Sequence, residues 1–270
     1  MHTRNVPQID AGYWAAIVAA SMCGTNAGDL AAGPLGLGHV RGIIPIAAVF
    51  FVIVWAEKVL NWTTVAFYWL AIILLRTMAT NIADFATHDM KVSYPVFVLG
   101  LVLFIAFMLW ADRLRAQEND SLVRDGIQVP KTDWLYWVTM LSAGVLGTAL
   151  GDWLAEDKPF DLGFIWASAI GAPVFVAALW LGYRFGLTKA WYWTAIVVCR
   201  TWGTDLGDML VTLFRKVTTR PTALWISTAL TAALLASVIV LWRSARSRNE
   251  APGFVEGFDW TGRPPPPTSR

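Results

Sequence analysis

Five positions recur in register four times along this chain, and any fold has to accommodate that repeat before anything else. Tyr13-Trp14, Tyr68-Trp69, Tyr136-Trp137 and Tyr192-Trp193 each precede an aspartate, respectively Asp29, Asp84, Asp152 and Asp208. The spacing is 16 residues from each Tyr and 15 from each Trp. A threonine (Thr25, Thr80, Thr148, Thr204) stands four residues before each Asp. Small residues stand one and five before it: Gly28 and Gly24, Ala83 and Ala79, Gly151 and Gly147, Gly207 and Gly203.

Each copy has the length and apolarity of one membrane-spanning helix. At about 1.5 Å per residue, Trp and Asp stand roughly 22 Å apart, inside a hydrocarbon core about 30 Å thick. Thr and Asp four apart share a helix face, and so do the two small residues, whose spacing lets helix backbones approach closely in lipid. The pattern predicts that the four Asp meet at a shared polar centre; the plainer alternative is that each marks the end of its helix.

Composition agrees with a membrane chain. Of 270 residues 56% are hydrophobic and only 15% charged, with 16 Trp. Apolar stretches fall near 12–32, 42–60, 64–86, 94–111, 134–154, 162–183, 189–211 and 221–242. Odd stretches carry the motif, and even ones finish near Trp55, Trp110, Trp180 and Trp242, expected as interfacial anchors. The expected fold class is all-α integral membrane, with eight transmembrane helices as four parallel two-helix repeats. A pair of spans returns the chain to its starting side, so every repeat enters alike about an axis along the membrane normal. Four motif helices inside and four plain helices outside is the simplest packing.

Thirteen Lys and Arg lie on the side that bears both termini and six on the other, which predicts cytoplasmic termini. Four segments follow: a first half over 1–117, a cytoplasmic linker over 118–133, a second half over 134–244, and a Pro-rich disordered tail over 245–270. The first span carries the motif itself, so it reads as a retained span and not a cleaved leader. Net charge is only +2, which gives no reason to expect a nucleic-acid partner. The expected partners are the lipid bilayer and a small ion or solute; oligomeric state is left open. Cys23 and Cys199 both fall inside spans and read as packing residues.

Ionisable residues within spans carry the functional expectation. Besides the four Asp there are Asp205, Arg76 and Arg200, and both arginines stand eight residues before a motif Asp. Repeats one and three hold Ser21 and Gly144 there, so a twofold pattern is laid over the fourfold one. Five carboxylates against two guanidinium groups leave a negative excess, relieved by held protons or a bound cation. Alternatively, Arg76 and Arg200 pair with motif Asp as structural glue. Carboxylates, the Thr hydroxyls and the amides of Asn26 and Asn81 are hard oxygen ligands, suited to protons, Na⁺ or a hard divalent ion. The four Asp are the candidate metal ligands, and no organic cofactor is expected. His2, His39 and His88 lie outside the spans and read as surface residues, with His88-Asp89 placed to reach an outer mouth. No phosphate loop, nucleophile elbow, HExxH or CxxC pattern occurs in the sequence, which argues against an enzyme.

Four copies of Tyr-Trp…Gly-Thr-x-x-Gly-Asp, each in a two-span unit, resemble a bacterial family of uncharacterised membrane-anchored proteins. Its members carry four tandem copies of a repeat of unknown function. The resemblance covers about residues 12–244. It implies an inner-membrane protein with a loose efflux association and no established substrate. The chain departs from the family pattern at Thr25, where relatives often carry an acidic residue, and at Ala79 and Ala83. The expected function is transport of a small cation or a proton-coupled solute. Two rivals stand beside it: a membrane scaffold or sensor subunit, and an anion transporter using Arg76 and Arg200.

Overall fold

The computed structural model describes residues 6–60, 65–115, 122–124, 127–129, 132–185 and 188–249. Eight α-helices follow the eight apolar stretches: α1 (Ala11–Ala32), α2 (His39–Leu60), α3 (Val65–Asp84), α4 (Tyr94–Arg115), α5 (Trp134–Glu156), α6 (Gly163–Phe185), α7 (Lys189–Phe214) and α8 (Arg220–Asn249). A π-helical turn, Phe85–Asp89, extends α3. Between α4 and α5 a small antiparallel ribbon pairs β1 (Leu122–Arg124) with β2 (Ile127–Val129), and the bundle itself is all-α as expected. Residues 118–121, 125, 126, 130 and 131 of the linker and residues 250–270 of the tail lie outside the described residues.

Helix starts are set by side-chain caps. Asp10 accepts a hydrogen bond from the Tyr13 backbone N–H, Asp133 from Tyr136 and Thr188 from Trp191. Each cap satisfies a donor that the first helical turn leaves free, and so fixes where the motif Tyr-Trp enters the bundle.

The motif helices form a closed inner ring: α1 packs on α3, α3 on α5, α5 on α7, and α7 back on α1. Each outer helix covers the motif helix that follows it, α2 on α3, α4 on α5 and α6 on α7, and α8 closes the circuit on α1. Burial separates the two layers. The apolar windows of α3 and α5 are 61% and 72% buried, those of α2 and α4 only 11% each. Ile44, Phe51, Leu99, Leu103, Trp166 and Val176 project from the outer helices into the surroundings. Such a continuous apolar exterior is what lipid requires and water does not tolerate.

Among the described residues six helices are long and apolar enough to cross a membrane: α2, α3, α4, α5, α6 and α8. They make the chain a multi-pass membrane protein. α1 and α7 fall short of that measure because they devote interior positions to Thr25, Asn26 and Asp29, and to Arg200, Asp205 and Asp208. Trp55, Trp110 and Trp180 are exposed as interfacial anchors would be. Trp242 is not: it is buried over Gly12 and donates to Asp10 Oδ2 at 3.0 Å, tying α8 to the start of α1.

The small residues of the motif explain the ring's tightness. A Cβ on Gly24 would collide with Arg76 of α3, one on Gly147 with Arg200 of α7, and one on Gly203 with Ser21 of α1. The fourth contact is Ala79 against Gly144, 2.9 Å from where a Cβ on Gly144 would stand. Each helix thus sets its small residue against the next helix, at the position eight before that helix's Asp. Ala79 is tolerated where Gly stands in the other copies because its opposite number is itself a glycine.

Candidate functional site

Every fourth residue of the motif helices contributes to a stack of layers, beginning at the Tyr end. Tyr13, Tyr68, Tyr136 and Tyr192 are all buried, and their hydroxyls close a hydrogen-bonded ring with O···O distances of 2.9, 2.8, 3.1 and 2.7 Å. Each hydroxyl can donate once and accept once within such a ring, which leaves no donor unused in a dry site. Each Tyr ring also meets the Trp of the next helix around, with centroids 5.8 Å apart for Tyr13–Trp69, 6.0 Å for Tyr68–Trp137, 5.4 Å for Tyr136–Trp193 and 6.2 Å for Tyr192–Trp14. The next layer is apolar: Ile17, Ile72, Met140 and Ile196, none more than 1% exposed.

The third layer holds the two arginines, both fully buried. Arg200 is a hub. Its guanidinium donates to Ser21 O at 2.6 Å, Arg76 O at 3.2 Å, Thr80 Oγ1 at 2.6 Å and, through Nη2, Thr148 Oγ1 at 2.9 Å. Its Nε reaches Thr148 Oγ1 as well, at 3.1 Å. One side chain of α7 thereby fastens α1, α3 and α5. Arg76 is treated differently: Nη2 meets only the Met140 sulfur at 3.8 Å, and Nε and Nη1 have no hydrogen-bond partner in the structure. Among the described residues neither arginine makes an ion pair, so the expectation that they clamp motif carboxylates is corrected. The guanidinium of Arg200 is satisfied by carbonyl and hydroxyl oxygens instead, and the Asp side chains lie about 12 Å farther along the helices.

Beyond the arginines the bundle opens. Thr25, Thr80, Thr148 and Thr204, then Asp29, Asp84, Asp152 and Asp208, line one cavity of about 770 Å³. All four Thr/Asp pairs are brought together there. Three other sequence candidates are not. Arg76 and Arg200 lie beneath the Thr layer, and Asp205 turns toward α5, where a Cβ on Gly151 would stand 3.0 Å from its Oδ1. Asn26 and Asn81 point at helix contacts as well, beside Gly207 and Gly42.

The wall also contains residues that sequence reasoning passed over, His39, Glu156, Arg215 and Arg220, beside the His88-Asp89 pair that it had placed at an outer mouth. The mouth carries His39, His88, Asp89, Glu156, Arg215 and Arg220. A signal for some of them was available: the residues four after each Asp are Gly33, His88, Glu156 and Thr212, and all four line the cavity. The axial row simply continues one more turn. His39, read from sequence as a surface residue, is part of the mouth, and so is His88, for which the sequence had left that place open. His39 Nδ1 meets Asp89 Oδ2 at 2.9 Å and its Nε2 lies 3.9 Å from Asp84 Oδ2, while His88 Nδ1 lies 3.8 Å from Asp84 Oδ1.

Six carboxylates and two arginines line the cavity, so with neutral histidines the formal balance is strongly negative. Among the described residues no three His, Cys, Asp or Glu side chains converge closely enough to hold a metal ion. The four Asp surround a space and do not close on a point. The formal charge of such a site favours cations and protons over anions.

Comparison with known proteins places two segments of the chain. No curated protein and no solved structure matches it. Residues 12–61, which span α1 from its second residue and α2, and residues 135–188, which span α5 from its second residue and α6, match the family model described as Repeat of Unknown Function (DUF347), so each matched segment is a motif helix with the outer helix that follows it.

Proposed function

We propose that this chain is an eight-span transporter of the bacterial inner membrane that moves a small cation or a proton-coupled solute. In this reading the four two-helix repeats enter the bilayer in one orientation and both termini are cytoplasmic. The observation that carries it is the cavity: four Thr/Asp pairs, one from each repeat, line a single polar space that ends blind against the arginine and tyrosine layers. Recurrence of the same Tyr–Trp and small-residue contacts at every step around the ring supports equivalent repeats. Counting α1 and α7 as spans is supported by their seats in the inner ring, where other helices shield their polar groups from lipid. The excess of basic residues on the terminal side supports the orientation.

A scaffold would be expected to have a dry, fully paired centre, and a cavity that reaches all four Asp argues against it. The anion reading loses its support because neither Arg76 nor Arg200 lines the cavity.

The test is reconstitution of the purified protein in liposomes, with cation flux or lumenal pH followed as a gradient is imposed. Flux should be lost when Asp29, Asp84, Asp152 and Asp208 are changed singly to Asn. It should weaken as external pH falls, since protons and cations compete for the same carboxylates. Wild-type flux in all four variants would mean that the aspartates only mark helix ends.

A further inference from the structure

The four quadrants of the cavity are chemically unequal. Asp84 and Asp89, from the second repeat, are met by His39 and His88. Asp29 lies within the electrostatic reach of Arg220 and His39. On the wall built by α5 and α7 the only basic residue among the described lining residues is Arg215, at the C-cap of α7. There Asp152 is only 6% exposed, lines the cavity, and has an Oδ2 with no hydrogen-bond partner in the structure. Glu156 stands one turn nearer the mouth on the same helix, and Asp208 projects from the neighbouring α7. On one wall the carboxylates are met by histidines, and on the other Asp152, unpartnered at Oδ2, stands in a column with Glu156 and Asp208.

Two features decide what that column suits. A dehydrated metal ion needs several oxygens on one point, about six for a hard divalent ion, and no such convergence exists among the described residues. The cavity, about 770 Å³, has the size of sites that hold small organic molecules. We infer that the substrate is an organic polycation, a flexible chain carrying two or more protonated amines, held by Asp152, Glu156 and Asp208. This inference rests on the transport reading given above and narrows it. Asp152 and Glu156 are separated by about 6 Å along the helix, the spacing of ammonium groups joined by three or four carbons. Each ammonium finds its own carboxylate, so no single point has to gather the whole charge. Arg200, beneath Thr80 and Thr148, sets the depth limit: those hydroxyls already accept from its guanidinium, and its charge repels a cation that goes farther.

The experiment is a thermal-stability and tryptophan-fluorescence titration of the purified full chain with spermidine, and separately with Na⁺, Mg²⁺ and Mn²⁺. A ligand that binds only the folded state raises the apparent midpoint. Spermidine should stabilise at concentrations where Mg²⁺ does not. Asp152→Asn should weaken its apparent affinity by about tenfold or more, Asp208→Asn and Glu156→Gln by several-fold, and Asp161→Asn, outside the cavity, not at all. Should Asp152→Asn prove poorly folded, the rim variant Glu156→Gln carries the test. Stabilisation by Mn²⁺ or Mg²⁺ that Asp152→Asn removes, with no response to spermidine, would overturn the polycation and keep the transport reading. Absence of any cation response overturns both, and a spermidine response unchanged in Asp152→Asn and Glu156→Gln overturns the assigned wall.

Discussion

The two ends of the inner helices are built from one repeated motif and reach opposite outcomes. At the Tyr end every hydroxyl in the ring is bonded, each Tyr packs on the next helix's Trp, and the layer beneath is apolar and closed. At the Asp end the same four helices stand around a polar cavity, and at least one buried carboxylate oxygen has no partner. Buried polar groups are satisfied as a rule, and unpaired ones carry a cost. The closed end has such groups too, in the Trp14 and Trp69 indoles and Arg76, but only at the Asp end does one line the polar cavity. The difference teaches that fourfold repetition builds the bundle, and that the departure from it at the open end leaves room for a ligand. Arg200 is the boundary between the two, because it draws its acceptors from three neighbouring helices and floors the cavity with them.

The largest expected effect follows from that boundary. Arg200→Leu removes every hydrogen bond that ties α7 to α1, α3 and α5 in this layer. Charged hydrogen bonds in a buried site contribute about 1.5–3 kcal/mol each, and relief of the buried charge offsets part of their sum. A net loss of about 3 kcal/mol or more is expected, measured as a fall in the unfolding midpoint of detergent-solubilised protein. Arg200→Lys should recover little, since a single ammonium cannot span three helices as the guanidinium fork does. A loss below about 1 kcal/mol would show that the ring is held by packing, and the boundary would lose its role.

Much of this was legible in the sequence, for physical reasons. Register at Tyr, Trp, Thr and Asp fixed which helices lie inside, because positions four apart share a face and only inner helices need small residues on it. The Thr/Asp half of the site was legible on the same ground. What the arginines contact was not. Arg76 and Arg200 occupy the same motif position, yet one is saturated and the other meets a sulfur. Their surroundings are set by residues on other helices, Met140 and Gly144 for one, Ser21, Thr80 and Thr148 for the other. The failure of α1 and α7 to reach spanning apolarity has a similar origin: a helix sheathed by others is freed from the composition that lipid imposes. His39 was missed because it starts an outer helix, α2, outside the axial row altogether.

A smaller effect is expected at the closed end. Tyr68→Phe deletes a hydroxyl bonded to Tyr13 at 2.9 Å and to Tyr136 at 2.8 Å, opening the ring while preserving ring packing. A loss of about 1–2 kcal/mol should appear in the same unfolding measurement, without change in ligand-induced stabilisation. The double variant Tyr13→Phe/Tyr68→Phe should cost less than the two single losses added, because the first break already frees a shared bond. Strict additivity would mean that the four hydroxyls do not act as one ring.

The smallest effect, and the one of opposite sign, belongs to the open end. Asp152→Asn replaces a buried carboxylate whose Oδ2 has no partner by a neutral side chain of nearly equal volume. Neither packing nor an existing ion pair is lost, whereas the cost of holding an uncompensated buried charge beside other carboxylates is removed. Unliganded protein should therefore unfold at the wild-type midpoint or above it, by up to about 1 kcal/mol, even though the same substitution abolishes flux in liposomes. Stability gained while function is lost is the signature of a group retained for a ligand. A loss of about 2 kcal/mol or more would instead make Asp152 part of the bundle's own framework, and the two ends of the inner helices would no longer differ in kind.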